Sequence, residues 1–251
     1  MPSDPPMPTG EPVLTVLLYA SLAALTASLG AVPHAIRGRL ALPVLGWANA
    51  LAAGLMLGVA YSLMSLSADE GMVQGAVGAL VGLGTVRLTH AGTGTEDLDL
   101  NRIGELSPAY GYQVVLVNTL HAAYEGVAIG AAMLVSLPFG ISMALALGVH
   151  NIPEGMILTA ILAERGVRLP HAAILAVATN LNQALLAVVT FSVVGVVPWL
   201  LPGVLGFSVG ALLYLVLVEL LPESYHQAGR TSIAVVTLVA MAVVVALGVA
   251  P

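Results

Sequence analysis

Two short segments of the chain carry the same ionisable pair at the same spacing. Residues 121–126 read HAAYEG and residues 150–155 read HNIPEG, so both follow the pattern H-x-x-x-E-G. In an α-helix, side chains four residues apart lie on one face and about 6 Å apart along the axis, near enough to bind one ion between them. The paired side chains are His121, Glu125, His150 and Glu154. Two imidazoles and two carboxylates suit Zn²⁺, Fe²⁺, Mn²⁺, Co²⁺ or Cd²⁺, and the ligand types do not choose among these ions.

Other groups near the two motifs could add ligands. Asn118 lies one turn before the first motif, and Asn151 lies within the second. Pro153 cannot donate a hydrogen bond to the carbonyl of Val149, so that oxygen is free to face an ion. The glycine that follows each glutamate permits a neighbouring helix to approach closely.

Four further candidates each have two interpretations. Met56 offers a thioether ligand or fills space between helices. Asn182 and Gln183 are either neutral ligands or donors in hydrogen bonds between helices. Glu219, in the segment ELLPESYH at residues 219–226, is either a ligand on the exit path of an ion or a residue at the membrane interface.

The composition indicates the elements that position these residues. Of the 251 residues, 59% are hydrophobic and only 8% are charged, whereas a soluble domain carries about a quarter charged residues. The mean hydropathy is +1.00. We therefore predict an all-α membrane protein that contacts the lipid bilayer through most of its surface. The chain has no cysteine, which excludes disulfides and thiolate metal sites, and it has no basic patch for nucleic acid.

Breaks rich in charge, proline or glycine divide the chain into eight apolar stretches, each long enough to cross the roughly 30 Å hydrocarbon core as a helix. The predicted spans are 12–34, 41–66, 71–88, 112–136, 139–163, 170–196, 200–222 and 232–250. Arginine occurs only at or after the first, third, fifth and seventh spans. The seven are Arg37, Arg39, Arg87, Arg102, Arg165, Arg168 and Arg230. By the positive-inside rule these connections lie in the cytoplasm, and both termini then lie outside.

The one extended polar connection, residues 89–111, is predicted to be a cytoplasmic loop. It carries His90 together with acidic residues among Gly, Thr and Ser. The acids are Glu96, Asp97, Asp99 and Glu105. This loop could collect metal ions or serve as a solvated linker. Residues 1–11 lack the positive region of a signal peptide, so we expect the first span to start membrane insertion itself. The arginine pattern makes residues 1–11 an extracytoplasmic tail, and we predict a single transmembrane domain over 1–251.

The paired motifs admit alternatives to metal transport. A lone His–Glu pair in a membrane helix could be a structural hydrogen bond or a proton relay, and a proton-coupled carrier of an organic solute would use such relays. An intramembrane metalloenzyme is a further alternative, but such hydrolases commonly use H-E-x-x-H, a string that this sequence lacks. Two copies at matched depth in neighbouring antiparallel spans favour a transported cation over both, because a charge in hydrocarbon costs about 2.5–3.5 kcal/mol.

These residues resemble the ZIP family of divalent-metal transporters, especially its prokaryotic branch. Residues 148–155, GVHNIPEG, look like the H/Q-N-x-P-E-G signature of that family. Residues 219–226 resemble the end of its seventh helix, and residues 54–64 resemble part of its second. The resemblance implies an eight-helix bundle in which helices one to three and six to eight are inverted repeats around helices four and five. It also implies a protein that is often a homodimer and carries metal into the cytoplasm.

The resemblance also implies roles for individual residues. By this resemblance the core ligands are His121, Glu125, His150 and Glu154. Asn151 would be their partner, Met56 a further ligand and Glu219 a residue of the transport pathway. Ala122 and Tyr124 stand where the family often has Asn and Pro, and the sixth span shows no acidic ligand. We therefore expect one principal metal site. The metal, with Zn²⁺ first, is expected as substrate and not as cofactor, in a bacterial or archaeal plasma membrane.

Overall fold

The computed structural model describes residues 10–95 and 108–247, and within these ranges all regular structure is helical, with no strand. In chain order the helices are α1 (Gly10–Thr26), α2 (Ala31–Arg37), α3 (Leu42–Thr93), α4 (Pro108–Val135), α5 (Leu137–Glu164), α6 (Leu169–Val196), α7 (Leu201–Tyr214), α8 (Leu221–Ala228) and α9 (Arg230–Ala246). Two 3₁₀ segments, Ala27–Gly30 and Pro198–Leu200, precede α2 and α7. A π-helical segment, Leu215–Leu220, joins α7 to α8.

The prediction of an all-α chain built for a membrane is confirmed. Within the described residues six helical stretches are long and apolar enough to cross a bilayer, and the 17-residue helix Arg230–Ala246 is a shorter apolar helix. The count of eight separate helices is not confirmed, because α3 covers both the second and the third predicted spans. No loop separates those two spans.

The long helix α3 nevertheless bends sharply within its length. A straight helix of its 52 residues would be about 78 Å long, more than twice the thickness of the hydrocarbon core. Its backbone leaves helical geometry at Gly71. A Cβ on Gly75 would lie 2.1 Å from the Oγ of Ser67, although residues eight apart in a straight helix are separated by about 12 Å. The chain therefore folds back at Gly71, and we name residues 42–70 and 72–93 the first and second arms of α3.

The second arm of α3 packs directly against α7 through glycine. A Cβ on Gly78 would lie 2.0 Å from the carbonyl oxygen of Gly203, and one on Gly206 would lie 2.0 Å from the carbonyl oxygen of Gly75. Only glycine fits where two helix backbones touch at this distance, and such contacts replace the hydrophobic effect as a source of helix association in lipid.

Helices α4 and α5 carry the two motifs, and the glycine of each motif contacts a neighbouring backbone. A Cβ on Gly126 would lie 2.3 Å from the carbonyl oxygen of Gln183 in α6, and one on Gly155 would lie 2.0 Å from the carbonyl oxygen of Ala27. Each glycine directly follows a motif glutamate in the sequence. The same close approach thus fixes the position of the preceding carboxylate.

The connections differ from their predicted limits. Helix α3 continues to Thr93 and α4 begins at Pro108, so both ends of the predicted loop 89–111 are helical. At the end of α3 the Thr89 and Thr93 hydroxyls donate to backbone carbonyls one turn earlier, so these polar side chains are satisfied within the helix and do not require a loop. The acidic residues predicted for this loop lie at 96–107, outside the described residues, as do residues 1–9 of the predicted tail and residues 248–251.

Candidate metal sites

Three of the predicted ligands meet in the interior of the bundle. The ligand atoms of Glu125, His150 and Glu154 all lie within 4.8 Å of one another. The His150 Nε2 atom is 2.9 Å from Glu125 Oε1 and 3.9 Å from Glu154 Oε2. The Glu125 side chain is fully buried, and those of His150 and Glu154 are 3% and 11% exposed. We name these three residues the central cluster.

A backbone hydrogen bond sets the orientation of the His150 ring. Its Nδ1 lies 3.2 Å from the carbonyl oxygen of Ala52, in the first arm of α3. Because a carbonyl only accepts, Nδ1 must carry a proton, which leaves Nε2 facing the two carboxylates. A metal-binding histidine is commonly held in this way, with the second ring nitrogen donating to a carbonyl or carboxylate.

The carboxylates of the central cluster have few other partners. Apart from the His150 contacts, the oxygens of Glu125 and Glu154 receive no hydrogen bond from the described residues. Buried carboxylates are normally paired or bound to metal, since leaving a charge unpaired in a low dielectric is costly. These buried acceptor oxygens therefore fit a cation.

A second group of ligands lies beside the first. The ligand atoms of His90, His121 and Glu219 are also within 4.8 Å of one another. Glu219 contacts both histidines: its Oε2 is hydrogen-bonded to the Nε2 of His121 at 2.9 Å, whereas its Oε1 lies 3.2 Å from the Nε2 of His90 in a contact that is not a hydrogen bond. We name these three residues the second cluster.

Local backbone structure positions the second cluster. Glu219 lies in the π-helical segment Leu215–Leu220, and π-helical turns are frequent at functional sites because the wider turn changes where side chains project. His90 lies in the last turn of α3, where its Nδ1 is 2.9 Å from the Thr95 hydroxyl and its ring stacks on Tyr214 with centroids 6.3 Å apart. The ring is thereby held with Nε2 toward Glu219.

The predicted four-residue site differs from this arrangement. His121 and Glu125 lie one turn apart on α4, but only Glu125 joins the central cluster, and His121 turns to Glu219. The reason is that the π-helical segment brings a carboxylate within hydrogen-bonding distance of His121. Because His121 and Glu125 lie one turn apart on α4, the two clusters are neighbours. The described residues thus offer two groups of ligands, where one principal site was expected.

The other predicted ligands lie around the clusters and not in them. Asn118 donates to the Thr179 hydroxyl at 2.9 Å, and Asn182 donates to the Thr119 carbonyl at 3.2 Å, so both join α4 to α6. Met56 is 1% exposed and belongs to the main hydrophobic core.

Asn151 and Gln183 form a buried pair between α5 and α6. The Asn151 amide donates to Gln183 Oε1 at 2.9 Å and to the Ala23 carbonyl at 2.8 Å, while its Oδ1 has no hydrogen-bond partner among the described residues. This oxygen, next to His150 in the sequence, remains available to an ion or to water.

His90 belongs to a buried cluster that was not predicted from the sequence. The predicted polar loop included His90 near its start, whereas the residue is 3% exposed within α3. The missed signal was the run of Thr, Arg and Leu before it, which continues the helix without a Gly or Pro break over residues 85–90. Glu219 was predicted as a pathway residue, and the structure places it against two histidines.

Comparisons with known proteins agree with each other. A family model described as ZIP zinc transporter matches residues 87–250. The chain is 32% identical over 241 residues to an Arabidopsis thaliana protein named "Putative zinc transporter At3g08650", an alignment that covers 92% of this chain and 38% of that protein. It is 33% identical over 116 residues to "Zinc transporter GufA" of Myxococcus xanthus, covering 46% of this chain and 45% of that protein. The aligned part is less than half the length of either relative.

Proposed function

The chain belongs to the ZIP zinc transporter family, and from that premise we propose that it carries a divalent metal ion, with Zn²⁺ as first candidate, across a membrane. The family is one of transporters and not of enzymes. The observation that carries the proposal is the central cluster, in which two buried carboxylates without other donors face the Nε2 of an oriented histidine.

The charges of the central cluster support a divalent cation as its occupant. Two ionised carboxylate oxygens within 4.8 Å repel by about 3–4 kcal/mol at an effective dielectric of about 20. A single imidazolium offsets only part of this repulsion and the desolvation cost. A divalent ion balances both carboxylates and binds the imidazole nitrogen, and imidazole with carboxylate is a ligand set that suits Zn²⁺.

We propose that the two clusters act as successive stations for the ion. Glu125 in the central cluster and His121 in the second are one turn apart on α4, so an ion that leaves one set of ligands meets the next after about 6 Å. Each set supplies imidazole and carboxylate ligands, which keeps the ion partly coordinated while it lacks its water shell. Exposure of the clusters to each side in turn would give transport without a continuous pore.

The architecture that we propose for this function has eight spans. Each arm of α3 is long enough to cross the roughly 30 Å core, and counting both arms restores the predicted number. With eight spans, all the arginine-bearing connections lie on one side of the membrane, and the positive-inside rule supports the cytoplasmic side. Both termini are then outside, and we propose that metal moves inward. We further propose one transmembrane domain over 1–251, with inverted repeats in the first three and last three spans, a homodimer, and a plasma membrane as its location.

The test is metal uptake by the purified chain reconstituted in liposomes. Glu154→Gln keeps the shape of the side chain and removes one charge from the central cluster. We expect uptake of Zn²⁺ to fall by at least about tenfold, because losing even an indirect partner of a metal site typically costs 10–100-fold. Asp69→Asn is the matched control, since Asp69 is an exposed carboxylate outside both clusters. Unchanged uptake in the Glu154→Gln variant would overturn the proposal.

A metal-binding measurement separates this proposal from a proton-coupled carrier of an organic solute. If the clusters bind metal, Zn²⁺ should raise the unfolding temperature of the purified protein in detergent, and less so for Glu154→Gln. If the same groups only relay protons, Zn²⁺ should not stabilise the wild-type protein more than the variant.

A further inference from the structure

A second polar feature of the fold lies away from both clusters. A cavity of about 600 Å³ opens among the end of α2, the start of α3, the end of α5 and the start of α6. Its charged and ionisable lining residues are His34, Arg39, Glu164 and Arg168. We name it the arginine pocket. None of its lining residues belongs to the central or the second cluster.

The charged side chains give the arginine pocket a positive excess. Arg39 pairs with Glu164 at 2.9 Å, and Glu164 is the only carboxylate among the described residues that line the pocket. Arg168 is exposed and has no carboxylate partner among the described residues; its Nη2 lies 3.4 Å from the Nε2 of His171. One guanidinium therefore remains to balance an anion, and guanidinium is the group best shaped for phosphate.

A buried imidazole without a partner also lines the arginine pocket. His34 is 6% exposed, and its Nδ1 has no hydrogen-bond partner among the described residues. The carbonyl of Gly30, one turn earlier, acts on the ring but lies outside hydrogen-bond geometry. A buried polar atom of this kind normally has a partner from the protein, water or a ligand.

The backbone at the arginine pocket adds to the positive potential. Helices α3 and α6 both begin there, at Leu42 and Leu169, and neither start is capped by a side chain. The N-terminus of a long helix carries a partial positive charge and attracts anions.

The end of α5, which carries the opposite partial charge, is closed by its own hydrogen bonds. Val167 N–H donates to the Leu162 carbonyl at 3.1 Å, and the Arg165 Nη1 donates to the Ile161 carbonyl at 2.7 Å. Those carbonyls are therefore occupied and do not face an anion in the pocket.

We propose that the arginine pocket binds the phosphate headgroup of an anionic phospholipid. The required chemistry is a phosphate ester, which Arg168, the imidazole of His34 and the two helix starts can surround. The remaining lining is apolar and includes Leu42, which is 48% exposed, and Leu169. A free phosphate ion would gain nothing from these leucines, whereas acyl chains would cover them. Basic pockets at the ends of membrane helices recognise lipid headgroups in this way. The proposal goes beyond metal transport and does not depend on it.

The test is thermal unfolding of the purified full chain in detergent with added lipid. Phosphatidylglycerol should raise the unfolding temperature in a saturable manner, and phosphatidylcholine and inorganic phosphate should not. Arg168→Gln should weaken the apparent affinity for phosphatidylglycerol on the order of fivefold, the effect expected for one cation near an anionic lipid surface. Arg230→Gln is the matched control, since Arg230 is an exposed arginine that does not line the pocket.

Other outcomes would overturn the proposal. Equal stabilisation by phosphatidylcholine would mean that no headgroup is recognised, and equal stabilisation by inorganic phosphate would mean a free-anion site. An equal loss in Arg168→Gln and Arg230→Gln would mean that only overall charge matters. Should Arg168→Gln fail to fold, His34→Leu gives the second test: it removes the unpartnered nitrogen and should fold, yet should lose part of the lipid response. A full lipid response in His34→Leu would refute the role of the imidazole and with it the proposed site.

Discussion

A single added methyl group at Gly155 should disrupt the central cluster from outside it. A Cβ at this position would lie 2.0 Å from the Ala27 carbonyl oxygen and 2.8 Å from its carbonyl carbon, both of which are backbone atoms. Ordinary contact begins at 3.4 Å, so α5 and the 3₁₀ segment must separate by about 1.4 Å. Overpacking of this kind typically costs about 1–3 kcal/mol, and a displacement near 1 Å in a functional site can cost about 100-fold in activity.

The assay compares Gly155→Ala with Gly84→Ala in thermal unfolding and in Zn²⁺ uptake. Gly84 also lies in a helix, but a Cβ there would meet nothing within 4 Å. Alanine within a helix is more favourable than glycine by up to about 1 kcal/mol where its Cβ meets no neighbour, so Gly84→Ala should unfold at or above the wild-type temperature. Gly155→Ala should unfold lower and transport poorly, because Glu154 moves with its neighbour. A Gly155→Ala protein with wild-type stability and uptake would refute the close contact between α5 and the 3₁₀ segment.

Three further predictions concern the clusters and the helices that hold them. His90→Gln should remove one of two Zn²⁺ binding events measured by titration calorimetry. The control His226→Gln changes an exposed histidine of α8 and should keep both events. Two intact events in His90→Gln would contradict metal binding at the second cluster. Tyr124→Phe removes the 2.6 Å hydrogen bond with the Thr89 hydroxyl. Thermal unfolding should show a free energy of unfolding lower by about 0.5–1.5 kcal/mol. An unchanged free energy would mean that this hydrogen bond does not stabilise the packing of α3 on α4. Metal at 100 times its dissociation constant should stabilise the protein by about 2.7 kcal/mol, so a chelator should lower the unfolding temperature of the wild-type protein and lower that of Glu154→Gln by less. An equal drop in both proteins would contradict metal binding at the central cluster.

The sequence predicted those parts of the site that depend on local spacing. Glu125, His150 and Glu154 could be found because a spacing of four residues puts side chains on one face of a helix whatever packs around it. The apolar stretches also predicted which segments are helical, since a backbone in lipid must satisfy its own hydrogen bonds. Both inferences need only the chain itself.

The pairing of His121 could not be predicted in the same way. It depends on the π-helical segment Leu215–Leu220, which places Glu219 within 2.9 Å of His121, and no spacing rule in the sequence marks a turn of that kind. The membership of His90 depends on how far α3 continues past the apolar residues, and helix ends are set partly by tertiary contacts such as the stacking on Tyr214. Long-range packing therefore decides which histidine meets which carboxylate.

The second cluster depends on the helical register of the π-helical segment that carries Glu219, and not only on the presence of its three ligands. In an α-helix each residue advances by about 100° around the axis. The hydrogen bonds of the π-helical segment Leu215–Leu220 span one residue more than those of an α-helix. If the segment adopted α-helical bonds, the Glu219 carboxylate would rotate by about that angle, away from the His90 and His121 rings. The register of this segment therefore sets the direction of the Glu219 side chain. Deleting one residue of the segment other than Glu219 would separate the three ligands of the second cluster, although His90, His121 and Glu219 would all still be present.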